Sequence, residues 1–249
     1  MGIVIKSERE IQAMREAGGI VATVLEVLKL QVSPGMRTKE LDAIAEGELE
    51  KLGAKSSFKG YQGFPATLCV SVNDEVVHGI PGERVLAEGD IVSLDFGAIF
   101  NGFQGDAALT VGVGEVTPQA RELMGVTRGA LEAGIAAARD KARLGDISAA
   151  IQGYAESKGY SVVREYCGHG IGREMHEEPQ IPNFGLPGTG PMLKKGMTLA
   201  LEPMVNIGGW RTRLGGNHWT VLTADGSLSA HFERTIAITD AEAEVLTAF

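Results

Sequence analysis

The sequence predicts an α/β (α+β) chain built from a duplicated unit, its halves packed about a pseudo-twofold axis with a cleft between them. Three observations predict it. A plan of helices followed by strands runs twice along the chain, short motifs recur in the same order in both halves, and an acid closes an apolar strand at the same point of each. We read residues 1–249 as a single domain whose halves divide near residue 112, about 1–112 and 113–249.

Ser7-Glu8-Arg9-Glu10 is a capping-box pattern, and Ile11, Met14, Val21, Leu25 and Leu28 follow at helical spacing, so a long amphipathic helix runs to about residue 30. Pro34-Gly35 ends it. Thr38 reads as the N-cap of a second helix carrying Leu41, Ala45, Leu49 and Leu52 and stopped by Gly53. From Thr67 to about Val113, β-branched runs broken by Gly, Pro and Asn predict strands. In the second half Thr117-Pro118 caps a long helix with proline at its first position, Ser148 caps a shorter one, strands follow from Tyr160, and Thr239-Asp240 caps a closing helix.

The recurring motifs are specific. Gly35-x-x-Thr38-x-x-Leu41 returns as Gly145-x-x-Ser148-x-x-Ile151, and His78-x-x-Pro81 as His176-x-x-Pro179. Leu86-x-x-Gly89, with Asp95 beyond it, returns as Leu193-x-x-Gly196, with Glu202 at the same remove. One match would be chance; several in one order imply duplication.

Composition bounds the function. A chain of 249 residues with 44% hydrophobic and 22% charged side chains can bury a large core. A net charge of -9 argues against a general DNA or anionic-membrane binder, and Lys194-Lys195 and Arg211/Arg213 read as solvated loop charges. Cys69 and Cys167 form no CxxC, so neither a disulfide scaffold nor a thiolate zinc site is indicated, and a reducing cytoplasm fits. No run approaches the roughly 18 apolar residues of a membrane span, and the opening residues are unlike a secretory signal.

The acids carry the chemistry. DIVSLD ends in Asp95 and MTLALE in Glu202, and an ionised carboxylate on a buried strand needs a cation or metal beside it. Asn101-Gly102 is a two-residue hairpin signal. With those residues at the turn, Gly97 faces Asp106 and Asp95 lies diagonally across on the same face, its β-carbon roughly 7 Å away. In the second half we expect a turn at Asp225-Gly226 to deliver Glu233 opposite His218, as the partner acid of Glu202. His169 stands in CGHGIGREMHEEP, where flanking glycines would let backbone approach a ligand. Four carboxylates and one imidazole favour Mn²⁺, Fe²⁺ or Co²⁺ over a thiolate-type zinc centre. So many acids point to two ions clamping a water or hydroxide. No GxGxxG or GxSxG is present, which sets aside a dinucleotide loop and a serine nucleophile elbow.

HGIP at 78–81, LDFG followed by Asp106, GHGIGREMHEEP at 168–179, LALEPM at 199–204 and FERT at 232–235 together resemble the type I methionine aminopeptidases of bacteria, from Ser7 onward. The resemblance implies the pita-bread fold, a curved antiparallel sheet backed by helices. It also implies a metal-dependent exopeptidase that removes the initiator methionine from nascent proteins when the next residue is small, by attack of a metal-bridging hydroxide on the scissile carbonyl. It makes Asp95, Asp106, His169, Glu202 and Glu233 the ligands of two divalent ions, with Asp106 and Glu233 bridging and Glu202 shuttling protons. His176 would stabilise the oxyanion and His78 would contact the substrate amide. Phe58, Tyr61, Phe64, Cys69, Met175 and Trp219 would form the methionine pocket, with Phe58 where some members carry Cys and Met175 where Phe is usual. A cytoplasmic monomer acting on nascent N-termini in transient contact with the ribosome is the implied setting. X-Pro aminopeptidases and prolidases share the fold and ligand types, and a metal-free binding module is the alternative from another class.

Overall fold

The computed structural model describes residues 2–248. Helix α1 (Glu8–Gln31) starts at the expected capping box: Ser7 accepts the Glu10 amide, and Glu10 in turn accepts the Ser7 amide at 2.9 Å. Its apolar stripe, including Met14, Val21, Leu25 and Leu28, is fully buried. Helix α2 spans Thr38–Lys51, so Thr38 is its first helical residue and Arg37 the N-cap. The Thr38 hydroxyl is turned away to the Gly82 carbonyl and amide, and Glu40 caps by accepting the Arg37 amide at 2.6 Å.

Strands β1 (Lys55–Ser56), β2 (Leu68–Val72), β3 (Glu75–Val77), β4 (Ile91–Phe100) and β5 (Phe103–Gly112) complete the first half. Asn101 and Gly102 form the tight turn between β4 and β5 with φ of 50° and 77°. The ladder pairs Gly97 with Asp106 and Asp95 with Ala108, as the turn position requires.

Helix α3 (Pro118–Ala137) is capped by Thr117, with proline at its start. Helix α4 spans Leu144–Glu156, so Ser148 lies inside it and does not cap it. Its N-cap is Arg143, whose amide is accepted by Asp146 at 2.7 Å. The equivalence between the halves is therefore Arg37-x-x-Glu40 with Arg143-x-x-Asp146. Each arginine makes an isolated bridge to the strand approach, Arg37 to Val85 and Arg143 to Met192. Short strands follow: β6 (Ser161–Val162), β7 (Cys167–Gly170), β8 (Glu177–Pro182), β9 (Thr198–Leu201), β10 (Met204–Asn206), β11 (Thr212–Leu214), β12 (Val221–Thr223), β13 (Ser229–His231), β14 (Glu233–Ala237) and β15 (Glu244–Val245).

No helix closes the described chain. Thr239 accepts the Ala241 amide at 3.0 Å and donates to the Glu242 carbonyl, a hydroxyl turn. Residues 244–245 then pair with β14, and Leu246 donates to the Thr235 carbonyl. Burying Leu246 against α1 and the sheet wins over the helical signal.

One nine-stranded antiparallel sheet runs β1-β4-β5-β14-β9-β7-β8, with β2 on β4 and β15 on β14, and two three-stranded sheets flank it. The main core packs the apolar faces of all four helices against this sheet. The architecture is mixed α/β, with antiparallel sheets backed by helices, as the resemblance implies. Strands β5 and β14 join first-half residues to second-half residues, and the acids collect at that seam.

Candidate metal centre

Sheet register gathers the acids. Asp95 on β4 and Glu233 on β14 both pair with Ala108 on β5, so the two carboxylates flank one small side chain on a single face. Asp106 lies two residues from Ala108 and shares that face. His169 on β7 pairs with Ala200 on β9, which pairs with Thr235 on β14; Glu202 stands just past the end of β9. Asp95 is thus mid-strand and does not close its strand, whereas Glu202 does.

Atoms of Asp106, His169 and Glu233 lie within 4.8 Å of one another. His169 Nε2 is 3.6 Å from Glu202 Oε1 and 4.0 Å from Asp106 Oδ2. The Gly170 carbonyl, an acceptor only, sits 2.9 Å from His169 Nδ1, so Nδ1 carries the proton and the Nε2 lone pair faces the carboxylates. That is the tautomer of a metal-ligating imidazole.

Electrostatics mark the same cluster. Burial pushes the Asp95 carboxyl up to about 7. Burial and the neighbouring acids raise Asp106, Glu202 and Glu233 well above the ordinary carboxylate range. Burial holds His169 down at about 3, with His176 adding to the effect. Asp95 Oδ1, Asp106 Oδ1 and Glu233 Oε1 are buried with no hydrogen-bond partner. Buried polar atoms are rarely left so, and oxygens without partners beside an imidazole lone pair fit a divalent cation.

A cavity of about 310 Å³ opens over these residues. Every site residue expected from sequence lines it: the five candidate ligands, His78 and His176, and Phe58, Tyr61, Phe64, Cys69, Met175 and Trp219. Phe64 meets Trp219 edge-on at 5.2 Å. Cys69 is buried, and burial raises its thiol well above the ordinary range, so it serves as a small apolar wall. Gly97 has a definable use, since a Cβ there would press Ser57, Phe58 and Met175, two of them pocket residues.

His176, just before β8, stacks on Tyr61, and its ring centre is 4.3 Å from that of His169. Tyr61 Oη lies 2.8 Å from His176 Nδ1. His78 sits at φ 59° after β3, its ring edge-on to Tyr166, and burial lowers its pKa to about 4.

Two expectations are corrected. His218 does not face Glu233: it lies in an exposed turn, while Glu233 pairs with Ala108. After Asp225-Gly226 the returning strand, β13, pairs with β10 in a flanking sheet, and the chain enters the central sheet only beyond Phe232. The glycines around His169 also serve differently. A Cβ on Gly168 would overlap the Ala200 carbonyl and one on Gly170 the Glu178 carbonyl, so they admit neighbouring backbone, not a ligand. The structure adds Gln62, Val77, Tyr166 and Cys167 to the lining. All four had a positional signal: Tyr166 and Cys167 adjoin the GHGIG motif, Val77 precedes the HGIP motif, and Gln62 follows Tyr61.

An antiparallel sheet that places a buried carboxylate–imidazole cluster at the floor of a part-apolar cavity has the make-up of a metal centre open to a substrate. The chain belongs to metallopeptidase family M24, whose model matches residues 12–240. It is 53% identical over 246 residues to a methionine aminopeptidase of Clostridium acetobutylicum, covering 98% of each chain. It is also 53% identical over 245 residues to methionine aminopeptidase 1 of Bacillus subtilis, covering 98% of this chain and 99% of that one. The crystal structure of a Thermotoga maritima methionine aminopeptidase superposes with a TM-score of 0.98 at 49% identity, over 100% of both chains. A prolidase from Pyrococcus furiosus shares the fold at 22% identity and a TM-score of 0.81, but this chain covers only 66% of it.

Proposed function

We propose that this chain cleaves the N-terminal methionine from polypeptides whose second residue is small. The observation that carries the reading is the union, in one cavity, of partnerless carboxylate oxygens with an apolar wall of Phe58, Phe64, Cys69, Met175 and Trp219. Such a wall suits an unbranched thioether. Asp95, Asp106, His169, Glu202 and Glu233 would hold two divalent ions, Fe²⁺, Mn²⁺ or Co²⁺. The ions would supply Lewis-acid polarisation of the carbonyl and a lowered pKa for the attacking water.

The protein's own groups do the remaining work. Glu202 accepts a proton from the attacking water as the new C–O bond forms, and delivers it to the amide nitrogen as the C–N bond breaks. With the Tyr61 hydroxyl donating a hydrogen bond to His176 Nδ1, the imidazole keeps its own proton on Nε2, from which it would donate to the carbonyl oxygen as negative charge develops there. His78 contacts the amide near the scissile bond. The sheet floor and aromatic wall keep bulk water from the reacting carbonyl. We place the activity in the cytoplasm, on nascent N-termini and in transient contact with the ribosome, as a monomer.

The test compares metal-dependent release of methionine from Met-Ala-Ser with cleavage of Ala-Pro-Ala, across Fe²⁺, Mn²⁺, Co²⁺ and Zn²⁺ in anaerobic buffer. The first peptide should be turned over and the second spared. Preference for the proline peptide would replace this reading with an X-Pro peptidase, and silence with every ion would leave a binding module.

A further inference from the structure

We propose that Lys6 is a positioning residue for His176, acting through Glu177; the inference rests on the reading of His176 as the group that binds the scissile carbonyl. Lys6 lies on the segment before α1, far in sequence from the cavity. Its side chain is nonetheless only 3% exposed, and its ammonium pairs with Glu177, 11% exposed. The segment is fixed by its backbone as well, since the Lys6 amide donates to the Gly196 carbonyl at 2.7 Å.

Glu177 directly follows His176. One of its carboxylate oxygens takes Lys6, while the other accepts the Arg173 amide at 3.0 Å and the Glu174 amide at 3.4 Å. The carboxylate thus folds residues 172–176 back on themselves, and that turn presents both Met175 and His176 to the cavity. Gly172 makes room for the pair, because a Cβ there would overlap both Glu177 Oε1 and Lys6 Cε. Removing the ammonium would leave a nearly buried carboxylate without its counter-charge, and such a group turns toward water. The turn would go with it. Tyr61 fixes the imidazole ring and Lys6 fixes the backbone beneath it, two independent restraints on one catalytic group.

The experiment is a double-mutant cycle on the metal-loaded protein with Met-Ala-Ser, using Lys6→Met, Lys6→Arg and His176→Ala, with metal Kd measured for each by calorimetry. Lys6→Met keeps the stem and loses the charge; we expect kcat to fall about 10- to 100-fold, the cost of a misplaced catalytic group. Metal Kd should stay within about threefold, since the ligands stand on other strands. Lys6→Arg should restore most of the rate. In the His176→Ala background the same Lys6→Met change should cost less than about threefold, because the group it positions is gone. Full activity of Lys6→Met, or an equal loss in both backgrounds, overturns the proposal. Should Lys6→Met fail to fold, Lys6→Met/Glu177→Ala removes both charges together with the acceptor of the Arg173 and Glu174 amides, is expected to fold, and carries the same expected loss. If His176→Ala alone keeps full activity, the carbonyl-binding reading fails; if it is crippled while Lys6→Met is not, only the role of Lys6 falls.

Discussion

At the scale of single residues, Glu202 carries the sharpest prediction. Its carboxylate faces His169 Nε2, and its backbone carbonyl is held by the buried Asn183 amide at 3.0 Å. Glu202→Gln should therefore leave circular dichroism and melting almost unchanged while abolishing Met-Ala-Ser hydrolysis; retained turnover would remove its proton-shuttling role. The metal-stripped protein should lose stability as pH rises past about 6.5. Asp95, held up to about 7, and Asp106, Glu202 and Glu233, raised well above the ordinary range by burial and by one another, keep protons in the folded state that an unfolded chain releases above about pH 4. Below about pH 6.5 these are offset by His78, His169, His176 and His231, which burial keeps neutral while the unfolded chain protonates them; above it the acids alone count, the native state binds more protons, and stability falls with rising pH. Melting with EDTA should show this fall, and added Mn²⁺ should raise the melting temperature most at the alkaline end; a flat EDTA profile would count against it. The acids were legible in sequence because each interrupts an apolar run. The role of Lys6 was not, since nothing local reveals that a lysine before a helix will be buried against a glutamate from the other half.

At the scale of elements, the fit of α1 against its neighbours rests on adjacent glycines with opposite roles. A Cβ on Gly18 would overlap the Leu246 carbonyl, whereas Gly19 is exposed and has nothing within 4 Å. Gly19→Ala should stabilise the protein by up to about 1 kcal/mol through helix propensity. Gly18→Ala, the same exchange one residue earlier, should destabilise it by about 1–3 kcal/mol through overpacking against backbone. Urea denaturation of the pair decides the point, and equal effects would show that the contact yields. Elements whose signal is local were readable: the Ser7 capping box, the Thr117-Pro118 start and the Asn101-Gly102 hairpin all stand where the sequence puts them. The starts of α2 and α4 were misread because hydroxyls are favoured caps in isolation, while here Glu40 and Asp146 cap the amides of arginines already held by bridges. Those bridges are long-range, and no window of sequence contains them.

At the scale of the molecule, the candidate centre is asymmetric. Each half contributes two carboxylates, but only the second contributes an imidazole, His169, so two bound ions would be inequivalent. Calorimetric titration of stripped protein with Mn²⁺ should resolve a tighter and a weaker event, and His169→Ala should weaken the tighter one by at least about 10-fold; two identical sites would contradict this. The repeated motifs made a plan of helices followed by strands legible, and the order of elements along the chain follows that plan. What the motifs could not give was the crossing at Phe232, where the chain leaves a flanking sheet so that Glu233 can reach Ala108. A two-residue turn forecasts a hairpin, and only the packing of three sheets decides otherwise.

The contact between α1 and the segment around Leu246 also bears on how the molecule is made. Arg15 on α1 binds Glu244, Gly18 abuts Leu246, and Thr247 supports the strand that carries Glu233. Helix α1 packs on β4 and β5, but part of its cover comes from residues around Leu246 that are synthesised long after it. The seam between β5 and β14 imposes the same delay on the acids. Partial chains that stop before β14 would expose part of the apolar face of α1 and lack a complete set of ligands, so the centre cannot assemble until Glu233 is made. Acquisition of metal would then report that β14 has joined β5.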